Sequence, residues 1–164
     1  MFGAVLGWCM EYEAAYATSW SMFEHGGDRK GSDFSFIDGA NMTPRASYRH
    51  MEFVAKDFTG SFLKGSVSDE DFMVYGAQNG DQLSVMIMNR GFGDAKEYTL
   101  YLKDTEMDKS GLTLVVQGES DQVYHDIIEP RATQVLIFKG DSMTKISFTS
   151  EDFDKEVTPV YSTK

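Results

Sequence analysis

The chain has 164 residues, 41% of them hydrophobic and 13% aromatic, with a formal net charge of −11 at pH 7. That apolar content suffices for a packed core and excludes a disordered chain, while the acidic balance excludes a nucleic-acid partner, which needs a basic face to neutralise phosphates. The single cysteine, Cys9, excludes an internal disulfide or a thiolate metal site, and its apolar surroundings mark it as a small core residue.

Phe2, Val5, Leu6, Cys9 and Met10 recur at helical spacing, with Glu11 and Glu13 closing the pattern as solvated acids. Gly3 and Gly7 lower its intrinsic propensity, so this helix needs something to pack against, and Trp8 on it reads as core. The segment lacks a basic leader and is interrupted by Glu11, so neither a signal peptide nor a membrane span is expected. Tyr16–Met22 is an apolar run that opens into the polar, glycine-rich loop His25–Asp33. The carboxyl end of a buried parallel strand reads this way where it meets a ligand-binding face. Phe34–Asp38 is a short extended piece and Gly39–Asn41 a turn. Thr43-Pro44 predicts an N-cap followed by proline in the first helical turn. Tyr48, Met51, Val54, Ala55 and Phe58 form that helix's apolar stripe, and Gly60 stops it.

From Gly65 the period becomes two. Seven strands are expected, at Phe72–Ala77, Leu83–Met88, Tyr98–Leu102, Leu112–Gln117, Val123–Ile127, Thr133–Phe138 and Lys145–Phe148. Asn79-Gly80-Asp81 predicts a hairpin between the first two. Lys103, Asp104 and Lys109 read as charges guarding sheet edges. The acidic, then polar, stretch after Ser150 is a last strand or a loosely held end. The fold class is therefore mainly β: an antiparallel β-sandwich over residues 61–164, preceded over 1–60 by a helix–strand–helix unit.

Trp20-Ser-Met-Phe23, the polar loop after it, Phe36-Ile-Asp38 and Thr43-Pro-Arg-Ala-Ser-Tyr48 together resemble the eighth strand, loop and final helix of (β/α)-barrel glycoside hydrolases. Val74–Asn89 and Ile128–Phe138 are similar to the C-terminal β-sandwich packed against such barrels. Among these the chain looks most like the β-agarase/β-porphyranase type, which cleaves red-algal galactans. The resemblance implies a fragment holding the end of the barrel and its sandwich, whose partners are a polysaccharide and the missing barrel portion. It implies a parent that is extracellular or periplasmic, and a Trp20 that floors a sugar subsite.

An indole face stacks on the C–H face of a pyranose, which makes Trp20 the leading binding candidate, against a core tryptophan. Glu24 and His25 follow it in the loop, where they would meet sugar hydroxyls, and Arg29 with Lys30 would hold a sulfate or carboxylate. The blander account is an ordinary exposed loop. Retaining glycosidases need two carboxyls about 5–5.5 Å apart and inverting ones about 6.5–9.5 Å. In the resembled enzymes these come from the fourth and seventh strands, which would precede Met1, so no catalytic residue is assigned and the chain alone is expected to be inactive.

His25, His50 and His125 lack zinc spacing, and Asp69-Glu70-Asp71 and Asp152/Asp154 lack the glycine and terminal Glu of a calcium loop. No metal or cofactor is expected. Two other readings compete. A free-standing carbohydrate-binding module would need several of Tyr75, Tyr98, Tyr101 and Tyr124 on one exposed face. A purely structural sandwich would need none. A large apolar patch around Phe2–Met10 and Trp20 would favour the fragment, because a severed barrel leaves its contacts unpaired.

Overall fold

The computed structural model describes residues 2–14, 36–38, 42–106, 110–149 and 160–163. Two helices, α1 (Phe2–Glu11) and α2 (Ala46–Asp57), precede the strands. The strands are β1 (Ser61–Leu63), β2 (Gly65–Val67), β3 (Phe72–Asn79), β4 (Gln82–Asn89), β5 (Lys96–Lys103), β6 (Leu112–Val116), β7 (Glu119–Ile128), β8 (Thr133–Lys139), β9 (Ser142–Phe148) and β10 (Val160–Thr163). They form a six-stranded sheet in the order β1-β3-β4-β8-β9-β10 and a four-stranded sheet in the order β2-β6-β5-β7.

The protein is mainly β, and all seven expected strands are present, as β3 to β9. The larger sheet is antiparallel throughout. In the smaller one β5 and β6 run parallel, Tyr98 opposite Leu112 and Tyr101 opposite Val115. Alternation of apolar and polar residues fixes which side chains face the core and is blind to strand direction, so a wholly antiparallel sandwich was the natural expectation. Of the tail, Val160–Thr163 form β10, which pairs with β9.

The faces follow the period of two. Leu83, Val85 and Ile87 of β4 meet Leu100, Leu102, Leu114, Val116 and Leu136 between the sheets. Met86 and Met88 point the other way and pack, with Tyr75, Ala77, Val135 and Ile146, beneath Ala4, Phe53 and Phe58 of the helical layer. Residues 83–89 of β4 are consequently all buried. The result is three layers: helices, large sheet, small sheet.

Two hairpins use the same device. Gly80-Asp81 joins β3 to β4 and Gly140-Asp141 joins β8 to β9, and each glycine takes positive φ, +58° and +55°. A two-residue turn with its first central residue at positive φ matches the twist of the strands it joins.

Helix α2 departs from its expected start. Arg45, not Thr43, occupies the N-cap position, in an extended conformation and with no side-chain cap bond. Pro44 instead bridges Ile37, flanked by the Asp38 N–H to Thr43 carbonyl and Arg45 N–H to Phe36 carbonyl bonds. This small ladder holds Pro44 extended and delays the helix to Ala46. The buried face is rotated too: His50 and Phe53 are buried with Phe58, while Met51 and Ala55 are exposed. His50, a polar residue type, does not show in an apolar stripe although it is buried here. Its Nε2 lies 2.9 Å from Thr133 Oγ1, and its ring meets Phe53 and Phe148 edge-on.

Helix α1 lies against β3 through Gly7, where a Cβ would fall 2.0 Å from the Tyr75 ring. Trp8 is thereby turned off the docking face and is 45% exposed, so it is not the core residue its apolar surroundings suggest. Lys103 guards no edge, because β5 is an interior strand; it pairs with Asp121 of β7 at 2.9 Å. Asp104 lies just past the end of β5, and Lys109 lies outside the described residues. The free edge of the small sheet at β7 is guarded by Glu119, Asp121, Gln122 and His125, all exposed.

Candidate functional site

Trp20, Glu24, His25 and Arg29 with Lys30 all fall within 15–35, outside the described residues, as does the strand expected at Tyr16–Met22. The described residues offer three other surfaces with chemical content.

The first is the outer side of α1. Ala4 and Met10 face the sheet with Gly7. Val5 and Trp8 on another face, and Tyr12 in the turn that follows the helix, recur at i, i+3 and i+7 and are 40%, 45% and 77% exposed. A helix that is apolar on more than one face belongs between two packed surfaces. Reading a single stripe missed this, although the i, i+3, i+7 spacing was visible in the sequence.

The second is the gap between the sheets, which a hydrogen-bond network crosses. The Tyr98 hydroxyl of β5 donates to Gln134 Oε1 of β8 at 2.8 Å, and Gln134 Nε2 donates to the Ile127 carbonyl at 2.8 Å. Beside it, Asp126 of β7 accepts from Lys145 Nζ of β9 at 2.5 Å and from the Tyr124 hydroxyl at 2.7 Å. The Ile127 N–H adds a third bond, to Asp126 Oδ1, at 2.9 Å. Burial, followed by the nearby Asp126 charge, raises the Tyr98 phenol far above its ordinary range. The Tyr124 phenol rises for the same leading reason, reinforced by its hydrogen bond to Asp126. Burial would also raise Asp126, but the bonds from Lys145, Tyr124 and Ile127 and the Lys145 charge outweigh it and hold the carboxyl below its usual value. Both tyrosines stay protonated, and the network ties the sheets together. Tyr75, buried under α1, is pushed up to about 12 by burial first and the Glu11 charge second.

Of the four tyrosines that a carbohydrate-binding face would draw on, Tyr75 and Tyr98 are therefore buried and Tyr124 is half-buried against Tyr98 and Phe138. Tyr101 alone of these stands on the outer face of the small sheet.

That outer face is the third surface. On β5 and β7 the register sets Glu97 opposite Ile127, Thr99 opposite His125 and Tyr101 opposite Val123. A cleft of about 610 Å³ runs over it, lined by Glu97, Thr99, Tyr101, Thr113, His125 and Ile127 among others. Thr99 Oγ1 lies 3.0 Å from His125 Nδ1.

Among the described residues no group of three or more His, Cys, Asp or Glu side chains is placed to hold a metal ion. Asp69-Glu70-Asp71 is instead a turn, closed by the Asp71 N–H to Asp69 Oδ1 bond at 2.9 Å and by Arg90, whose guanidinium donates to the Glu70 carbonyl. Asp152 and Asp154 lie outside the described residues. Glu11 is half-buried beside Lys64 at 3.8 Å, while Glu13 is exposed, and Cys9 is free and half-buried. No described helix is long and apolar enough to cross a membrane. No protein-family model, curated protein or solved structure matches this chain.

Proposed function

We propose that this chain is the C-terminal part of a polysaccharide-degrading glycoside hydrolase of the agarase/porphyranase type. The sandwich braces a catalytic barrel through its helical layer, and the segment carrying Trp20, Glu24, His25 and Arg29 completes a sugar subsite. The catalytic carboxylates belong to the barrel, so this chain by itself does not hydrolyse glycosides. The parent is extracellular or periplasmic, where a polymer too large to import is met.

The observation that supports this reading best is the second apolar face of α1. Val5 and Trp8, with Tyr12 just past the helix end, are exposed on a helix whose other side is already buried against the sheet. A barrel wall packed there would bury them, at roughly 1.5–3 kcal/mol for each large side chain.

The chain has two tryptophans, so replacing Trp8 by Phe leaves Trp20 as the only reporter. In that background, agarose or porphyran oligosaccharides should quench the fluorescence saturably. In an otherwise wild-type chain, Trp20→Ala should abolish the calorimetric heat of binding at this subsite without altering the circular dichroism. A folded chain that binds neither oligosaccharide removes the subsite from the reading. Turnover of either galactan by the purified chain, abolished by Glu24→Gln, overturns the assignment of catalysis to the barrel.

A further inference from the structure

We propose that the outer face of the small sheet is a second binding site, separate from the Trp20 loop, for a neutral saccharide chain. The inference rests on the reading of the chain as part of a polysaccharide-degrading enzyme, and it adds where, and with what selectivity, glycan is held.

The strands set the layout. Tyr98, Leu100 and Ile128 turn into the core, which leaves Glu97, Thr99 and Tyr101 of β5 beside Ile127, His125 and Val123 of β7 on the solvent side. From Glu97 to Tyr101 this strip is about 14 Å long at the rise of an antiparallel strand. It is an extended platform, suited to a chain of rings and not to a single small molecule. Tyr101 supplies an aromatic face, and Val123 and Ile127, 46% and 47% exposed, supply apolar contact at either end.

Hydrogen-bonding groups are left over around this apolar line. Among the described residues, neither the Glu97 carboxylate, the Tyr101 hydroxyl nor His125 Nε2 has a hydrogen-bond or ion-pair partner. The Thr99 contact at Nδ1 holds the imidazole in place and leaves Nε2 available. An aromatic face flanked by a spare carboxylate, an imidazole nitrogen and hydroxyls matches a polyol with C–H patches and O–H groups in alternation.

Charge selects among saccharides. Among the described residues, those lining the cleft include Glu97 and Asp126 but no Lys or Arg; Asp126 is engaged by Lys145, and Lys103 further along β5 is paired with Asp121. Among the described lining residues, a sulfated or carboxylated chain would meet the Glu97 carboxylate and no counter-charge. A neutral chain meets acceptors for its hydroxyls.

The test is isothermal titration of the whole chain with neutral agarose oligosaccharides, sulfated porphyran oligosaccharides and cello-oligosaccharides. Wild type should bind the agarose oligosaccharide at two sites. Trp20→Ala should retain one site, which Tyr101→Ala then weakens about tenfold or more and Glu97→Gln weakens a few-fold. Tyr101→Phe and Glu97→Gln keep size and burial, so they carry the test if the alanine variant fails to fold. At the retained site the sulfated oligosaccharide should bind more weakly than the neutral one, and the His125 ring signals in NMR should shift on saturation.

Complete loss of binding in Trp20→Ala overturns this second site while leaving the hydrolase reading intact. Residual binding that ignores both Tyr101 and Glu97 overturns it too, as does equal affinity for sulfated chains. Absence of binding by wild type removes this second site together with the Trp20 subsite, while the bracing of a barrel through α1 stands on its own observation. A chain that dimerises, and that Val123→Lys returns to monomer, assigns this face to a second copy and overturns the saccharide.

Discussion

The two sheets share one core, yet their outer faces have opposite characters. The large sheet turns Tyr75, Ala77, Met86, Met88, Val135 and Ile146 outward and covers them with α1 and α2. The small sheet turns out Glu97, Val123, His125 and Ile127, all exposed, with Thr99 and Tyr101 half-buried between them. One rule of alternation produced both. In β4 both phases are apolar, Leu83, Val85 and Ile87 on one side and Met86 and Met88 on the other; in β5 and β7 the second phase is mostly polar. A sheet apolar on both faces has to be covered, and its helical cover is itself apolar on the far side of α1. The sequence thus asks for successive layers in one direction and for water in the other.

The sharpest way to break this comparison is to remove equal chemistry from the two faces. Met86 is 1% exposed, so Met86→Ala should cost about 2–5 kcal/mol through lost burial and the cavity it leaves. Val123→Ala, from a residue 46% exposed, should stay within about 0.5 kcal/mol. Urea unfolding followed by circular dichroism reads both, as a displaced midpoint with unchanged slope. Similar costs at the two positions would mean that the small sheet is also covered.

A smaller effect probes what joins the sheets. Tyr98 and Gln134 are each 3% exposed, and the phenol is the donor to Gln134 Oε1. Tyr98→Phe keeps the ring and strands that acceptor in the core, at a cost of about 1–3 kcal/mol. The midpoint of urea unfolding checks it, and a change inside experimental scatter would mean that Gln134 finds another donor.

Strand existence was legible because period two is a local property. Leu83, Val85 and Ile87 declare their face without knowledge of any partner. The second phase was equally visible, but what Met86 and Met88 pack against lies some thirty residues or more away in the chain, on helices whose docking no local pattern states. The direction of β6 against β5 escaped for the same reason. Short β1 and β2 were missed because three residues carry too little alternation to stand out. Helix α2 was found from its apolar spacing, but its start was misplaced because Thr43-Pro44 satisfies cap chemistry while belonging to the Ile37 bridge. Trp8 was misread because neighbouring apolar residues do not say which side of a helix is covered. On the small sheet the outward row of Glu97, Thr99 and Tyr101 follows from alternation alone. Its pairing with His125 required the register.

The smallest effect concerns acid. Asp126 bridges from β7 to Lys145 of β9, and its folded-state carboxyl is held below the ordinary value near 3.9 expected for the unfolded chain. A carboxyl whose pKa is lowered by folding stabilises the fold fully above its unfolded value. That contribution fades as pH falls through the folded one, because the unfolded chain then binds the proton first. The wild type should therefore lose stability between about pH 5 and pH 2 more steeply than Asp126→Asn, which carries no such proton. At pH 7 the variant should be the less stable of the two, since it leaves Lys145 half-buried without its counter-charge. Urea midpoints measured across that range decide it. Parallel pH profiles for the two proteins would show that the ion pair adds nothing to the hold between the sheets, leaving the Tyr98–Gln134 bond and the apolar core to carry it.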